Sequence, residues 1–259
     1  MKSALRHLFL SVILLLSVAL SAAGQAKVYT RKARLSDFPT RTTKVVLAGN
    51  SFLELTLREG VAVHWRISPY EFCTPEEYAA LQRSNELYFL LPARDAGLDW
   101  LILTKGGKAD EKESLKKPFE VVRLPIASAG DPSGRELVLT GAFLDIIQTF
   151  VEQAMISDRA AYTGLSAIDG ARLRGKKVLL DSDAADAAVL AREPDALAAV
   201  VIAPADPEEG AFCYKMLISA DTHELVLYEK CRYRKPDDAR FTEADIQRFR
   251  RRGASVVTD

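Results

Sequence analysis

Cys73, Cys213 and Cys231 are the thiols of this 259-residue chain, and His64 and His223 are its imidazoles beyond the N-terminal apolar run. Acyl transfer through a serine or cysteine needs a nucleophile, a base and an orienting acid. The sharp G-x-S-x-G turn is absent, because Gly164-Leu165-Ser166 lacks the second glycine. Only His64 or His223 could act as the base. The pattern places His64 on a helix beside Trp65 and His223 in a hairpin turn, both positions that favour solvation. No catalytic residue is named on this basis. Cysteine and histidine spacing does not fit a zinc site, so no metal ligand and no cofactor is assigned either.

Cys73 stands at a strand end just before a helix start, a place that lowers thiol pKa and can make a thiolate reactive. The plainer alternative is a small buried apolar side chain. Cys213 and Cys231 belong to a predicted hairpin. If Asp221-Thr222-His223 is a three-residue loop, Ala220 faces Glu224, and counting back sets Cys213 opposite Cys231. Bridging requires Cα atoms within about 7 Å, so the pair is a disulfide candidate whose register a one-residue slip would destroy. Asp181, Asp183 and Asp186 could suggest calcium, but Ala184 and Ala185 break the alternation of an EF-hand loop. Capping and dipole compensation at a helix start account for them. Lys105-Gly106-Gly107-Lys108 lacks P-loop spacing. Among the aromatic residues concentrated between Trp65 and Trp100, Tyr70 beside Pro69 is the candidate exposed binding aromatic; core packing is the expected role of the rest.

Positioning these residues requires a set of alternating elements. Lys44 to Leu47 reads as a strand, followed by a Ser51/Glu54 capping box and a helix whose Leu53, Leu57, Val61 and Trp65 recur every four residues. Arg66 to Cys73 reads as an irregular or edge strand because of Pro69. Thr74, Pro75 and Glu77 open a second helix. Strands follow at 87–91, 100–104 and 119–127, with a loop at 105–117. Residues 27–42 read as an extended lead-in, and residues 157–175 as a connector. A long helix is strongest over 142–156. Strand 177–180, helix 183–192 and strand 197–203 then lead to the hairpin 212–233 and to a last helix capped by Thr242. The fold class is therefore α/β, a mixed sheet with flanking helices. Segments 52–126 and 136–233 share the order helix, strand, helix, strand, strand, strand. Two pseudo-repeated lobes, 43–127 and 135–259, would explain this, as would chance alternation.

The N-terminus sets the compartment. Lys2 and Arg6 precede an apolar run, Leu8 to Leu20, that ends in Ser21-Ala22-Ala23-Gly24. Charge, apolar run and small residues in that order describe a cleavable secretory signal over 1–24, and the run is shorter than a membrane span. No cysteine follows the cleavage region to take a lipid, so residues 25–259 are expected to be soluble, without a membrane anchor. The chain is 48% hydrophobic and 27% charged, with zero formal net charge. That balance argues against bulk nucleic-acid binding. The cluster Arg248, Arg250, Arg251 and Arg252 reads as dipole compensation at a helix end.

Thr42-Thr43-Lys44-Val45-Val46-Leu47, Trp65 through Cys73, and Cys213-Tyr214-Lys215-Met216 through Glu224-Leu225 together resemble a group of exported proteins common in Bacteroidales, over most of the exported region. The resemblance implies a Gram-negative envelope location and carries over no activity and no functional residue. The element order is also similar to small α/β domains of envelope assembly proteins, such as the N-terminal domain of TolB. Two function classes are expected from all of this. One is a non-catalytic periplasmic or secreted protein that binds an envelope partner or a small ligand. The other is an exported hydrolase whose site the sequence does not display. An enzyme should show a pocket where titratable groups converge, and a binding module an exposed apolar surface.

Overall fold

The polypeptide folds around two mixed β-sheets, described by a computed structural model over residues 31–49, 51–107, 118–129, 133–165, 167–168, 170–207 and 210–258. The signal segment expected at 1–24, residues 108–117 of the expected loop, Asp131-Pro132 and Ser166 lie outside the described residues. The first sheet has five strands and the second six among the described residues.

β1 (Thr42–Val46) is central to the three parallel strands of the first sheet, flanked by β2 (Tyr70–Cys73) and β3 (Leu87–Asp95). β4 (Leu98–Lys105) and β5 (Phe119–Ser128) continue it antiparallel. The chain leaves β1 through α2 (Phe52–His64), reaches β2, and crosses back over β1 through α3 (Pro75–Leu81) to β3. β2 is thus an edge strand, which is where Pro69 is tolerated because no partner needs its missing N–H. Local chemistry sets the helix starts. Ser51 Oγ accepts from Glu54 N–H at 3.2 Å, while the Glu54 carboxylate accepts from Ala48 N–H and the Ser51 hydroxyl. Thr74 and Glu77 form a complete capping box ahead of α3.

In the second sheet, β7 (Lys177–Leu179), α6 (Ser182–Ala191) and β8 (Ala196–Ile202) form a parallel unit. β9 (Phe212–Ser219) and β10 (Leu225–Arg232) follow antiparallel, β6 (Ala167–Ile168) closes one edge, and β11 (Ser255–Val257) lies parallel to β7 at the other. Both sheets therefore contain three parallel strands extended by antiparallel ones, two in the first sheet and three in the second. The sequence match aligned β2 with β7, but by position in the sheet the counterpart of β7 is β1, with β2 and β11 as outer parallel neighbours.

Three segments differ from expectation. The lead-in is not extended: α1 (Arg31–Leu35) and a 3-10 turn at Phe38–Thr40 place Leu35 and Phe38 in the core. The connector at 157–175 holds α5 (Asp158–Thr163), β6 and a 3-10 turn at Gly170–Leu173. α4 (Arg135–Ile156) begins where the second expected segment, 136–233, opens with a helix, and it runs through the strongest helical pattern at 142–156. Gly134 sits there at φ +84°, and the buried Glu136 carboxylate accepts from Gly134 N–H at 3.1 Å. The short β11 was not anticipated.

α4 is apolar on most of its circumference because it is the central helix of the core. One continuous cluster contains its Phe143, Ile147 and Val151, Val45, Leu90 and Leu103 of the first sheet, and Val200, Met216 and Ile218 of the second. It is long and apolar enough to cross a membrane, yet most of it is buried inside the protein. α7 (Glu243–Arg251) covers the outer face of the second sheet, where Phe249 packs with Leu197, Leu217 and Leu227.

Candidate functional site

Two histidines that the sequence separates by 159 positions meet on one carboxylate. His64 is the last residue of α2, Asp145 lies in the middle of α4, and His223 ends the turn between β9 and β10. His223 Nδ1 lies 2.8 Å from Asp145 Oδ2, and His64 Nδ1 lies 3.4 Å from the same oxygen. The imidazole centroids are 5.9 Å apart. The other oxygen, Oδ1, accepts from Gln148 Nε2 and from Arg66 Nη2, both at 3.2 Å. All three members are sheltered: the side chains of His64, Asp145 and His223 are 18%, 12% and 5% exposed. The expectation that both histidines are solvated is corrected here. A helix end and a hairpin turn face water only until another element packs over them, and α4 does so at both.

Backbone and packing hold this arrangement. His223 adopts φ +59°, with its N–H donating to Ser219 C=O at 2.9 Å. This left-handed residue is what lets the turn carry an imidazole inward. Gln148 is fully engaged. Its Nε2 donates to His64 C=O and its Oε1 accepts from Arg66 and Ile67 N–H, so it satisfies the end of α2 while orienting Asp145. Gly60 of α2 and Gly141 of α4 allow the two helices to approach. A Cβ at Gly141 would sit 2.6 Å from His64 Nε2, and one at Gly60 would sit 2.9 Å from Thr140 Cγ2. Burial pushes the Asp145 carboxyl up. The His223 hydrogen bond and the nearby His64 and Arg66 outweigh it and hold the group below its ordinary value.

A cavity of about 290 Å³ adjoins the cluster, lined by His64 and His223 together with Thr56, Glu59, Thr140 and Arg192. No serine or cysteine lines it among the described residues, and the Thr140 hydroxyl is committed to Glu136 C=O at 2.6 Å. It therefore offers titratable groups without a serine or cysteine nucleophile among the described residues.

A larger cavity, about 690 Å³, opens at the carboxyl ends of β1 and β3 and shares the Leu137 wall with the first. Phe52 and Leu53 at the start of α2, Pro92 and Ala93 of β3, Ala127 of β5 and Leu137 of α4 give it mainly apolar walls. The position suits a ligand, because β1 and β3 send their connections in different directions and leave a crevice at that edge. The polar groups there are internally engaged: Arg94 forms a bidentate pair with Asp99, and Ser51 and Glu136 serve the two helix starts. Phe52 at the rim is 80% exposed.

The residues singled out from sequence fall in separate places. Cys73 ends β2 and is buried against Val46 and Phe89. Burial and the nearby Glu77 push its thiol pKa up, so the lowering expected from the following helix is not found. The short α3 does not outweigh desolvation. Tyr70 is half-buried and packs edge-on against Phe72 at 5.7 Å. Cys213 and Cys231 are directly opposed across β9 and β10. The register is shifted by one near the turn and returns to the expected count through a bulge between Leu225 and Leu227. All three cysteines are free thiols in this structure, and Cys213 Sγ donates to Asp238 C=O at 3.3 Å. Asp181 caps α6 through Ala184 N–H at 2.8 Å, and Asp186 pairs with Arg135, as expected for structural carboxylates.

Sequence reasoning missed Asp145 altogether. It is one acid on a long helix, and its only local signal is an i, i+3 relation to Gln148. Comparison with known protein families, characterised proteins and solved structures finds no match to this chain.

Proposed function

We propose that this chain is an exported, soluble α/β protein of the bacterial envelope that binds a small, uncharged and mostly apolar ligand. The observation that carries the reading is the 690 Å³ cavity with apolar walls at the carboxyl ends of β1 and β3. Its lining carboxylates are already hydrogen-bonded within the protein and its arginine is paired, so a charged ligand would find no vacant counter-charge among these groups. Export follows from the charge, apolar run and small residues of the first two dozen positions. An oxidising destination would also close Cys213 and Cys231 into a cross-strand disulfide.

The neutral dye N-phenyl-1-naphthylamine tests the binding site. Its fluorescence should rise to saturation with one dye per chain. Leu137→Glu, at the partly exposed wall, should weaken binding about tenfold by removing buried apolar contact and adding a charge. A linear, unsaturable rise, or equal titration of the variant, would count against the cavity.

A further inference from the structure

We propose that His64, Asp145 and His223 form a binding site for one divalent transition-metal cation, with Zn²⁺ as the reference ion. The inference is independent of apolar-ligand binding at the larger cavity and rests on four observations.

The donor set is right in kind. Two imidazoles and a carboxylate suit zinc and its first-row neighbours, and three protein donors with one open position are the usual equipment of an accessible zinc centre. The geometry is close to what a cation needs. His64, Asp145 and His223 each offer one donor atom, and these atoms all lie within 4.8 Å of one another. Metal–donor bonds of about 2.0–2.1 Å around a tetrahedral ion place neighbouring donors about 3.3 Å apart. The His64–Asp145 separation of 3.4 Å already meets this, and the His223–Asp145 separation of 2.8 Å must open by roughly half an ångström.

The surrounding shell is of the supporting type. Gln148 and Arg66 both bind Asp145 Oδ1, which leaves Oδ2 as the oxygen facing the imidazoles. A ligating carboxylate is commonly held this way by a neighbouring donor. The arginine contacts the other carboxylate oxygen, Oδ1, and its side chain is 71% exposed, so solvent screens its opposition to a cation. Finally, the site has an approach. The adjoining cavity of about 290 Å³ meets His64 and His223, so a fourth position can be filled by water. The cluster also retains Gly141 inside a helix, at an intrinsic cost of about 1 kcal/mol relative to alanine, and the His64 ring occupies the space a side chain would need.

Zinc titration calorimetry of the exported chain, stripped with chelator, is the test. One Zn²⁺ per chain is expected. His64→Ala and His223→Ala should each weaken binding at least tenfold, with circular dichroism confirming that they fold. Because free thiols could also bind zinc, Cys73→Ser/Cys213→Ser/Cys231→Ser should bind as the parent does. The Co²⁺ form of the unaltered chain gives a second reading that needs no variant. Nitrogen and oxygen ligation produces weak visible bands without thiolate-to-cobalt charge transfer. Absence of zinc binding, binding unchanged in folded histidine variants, or a cobalt spectrum dominated by thiolate charge transfer would each overturn the site.

Discussion

Burial decides the reactivity of individual side chains in this protein, and the thiols show it best. Cys213 lies in a hydrogen-bonded pair position opposite Cys231, in phase with the Tyr233 N–H to Ala211 C=O bond two residues away. Such positions hold Cα atoms about 5.5 Å apart, inside the range a disulfide spans. Yet burial, followed by the neighbouring Cys231, pushes the Cys213 thiol up to about 11. At neutral pH only about one thiol in 10⁴ is then ionised, and the thiolate is the species that attacks. Oxidation is therefore expected while the chain is still folding after export and to be slow once the reduced protein has folded. Intact mass should show a loss of two hydrogens in protein recovered from the periplasm. The same protein made under reducing conditions and then exposed to oxidised glutathione should stay reduced for hours. The bridge closes a short loop and is expected to add about 3 kcal/mol of stability against urea relative to the reduced form.

At the scale of elements, the crossing of α2 and α4 is the critical contact. Gly60 and Gly141 sit where the helices touch, and Gln148 ties the end of α2 to α4 through three hydrogen bonds. Propensity alone says that Gly141→Ala should stabilise α4 by about 1 kcal/mol. The crossing predicts the opposite sign. The new methyl group would overlap the His64 ring, and the displaced imidazole would leave Asp145 with one fewer partner. A net loss of about 1–3 kcal/mol is expected from such overpacking, read from urea unfolding midpoints. An increase in stability would show that the ring moves aside freely. The β9–β10 hairpin contributes in the same way. Its bulge and the left-handed His223 are irregularities that together set both the cysteine register and the inward imidazole.

Across the whole molecule, three of the depressed carboxylates are partly buried and spread over the structure. Asp37 accepts from Tyr88 and Lys105 beside the first sheet, Asp145 joins α4 to the hairpin, and Asp245 accepts from Lys215 on the second sheet. In each case burial acts upward, and hydrogen bonds with nearby cationic groups hold the carboxyl below its ordinary value. A carboxyl whose folded pKa is lowered stabilises the fold fully above its unfolded pKa, near 3.8 for these aspartates. That contribution is lost as pH falls through the folded value. Stability should therefore decline below about pH 4. Because one apolar cluster spans α4 and both sheets, the loss should be a single transition. Near-ultraviolet circular dichroism and backbone circular dichroism should report the same midpoint. Separate midpoints would mean that the two sheets unfold independently.

The α/β class, the order of the larger elements, the caps at Ser51, Thr74, Asp181 and Thr242, and the opposition of Cys213 to Cys231 were all legible in the sequence. Each depends on interactions within a few residues or on counting back from one turn, and such signals survive without knowledge of distant neighbours. The lead-in at 31–40 and the strand at 255–257 were not, because short elements carry little periodicity and are fixed by what they pack or pair with. The candidate site was visible only as isolated parts. His64, Asp145 and His223 come from a helix end, a helix middle and a turn, and no spacing rule connects them. The sequence set the chemistry available to each residue. Only the packing of α4 against α2 and the hairpin brought two imidazoles to one buried carboxylate, because desolvation and proximity are properties of the assembled core rather than of any segment.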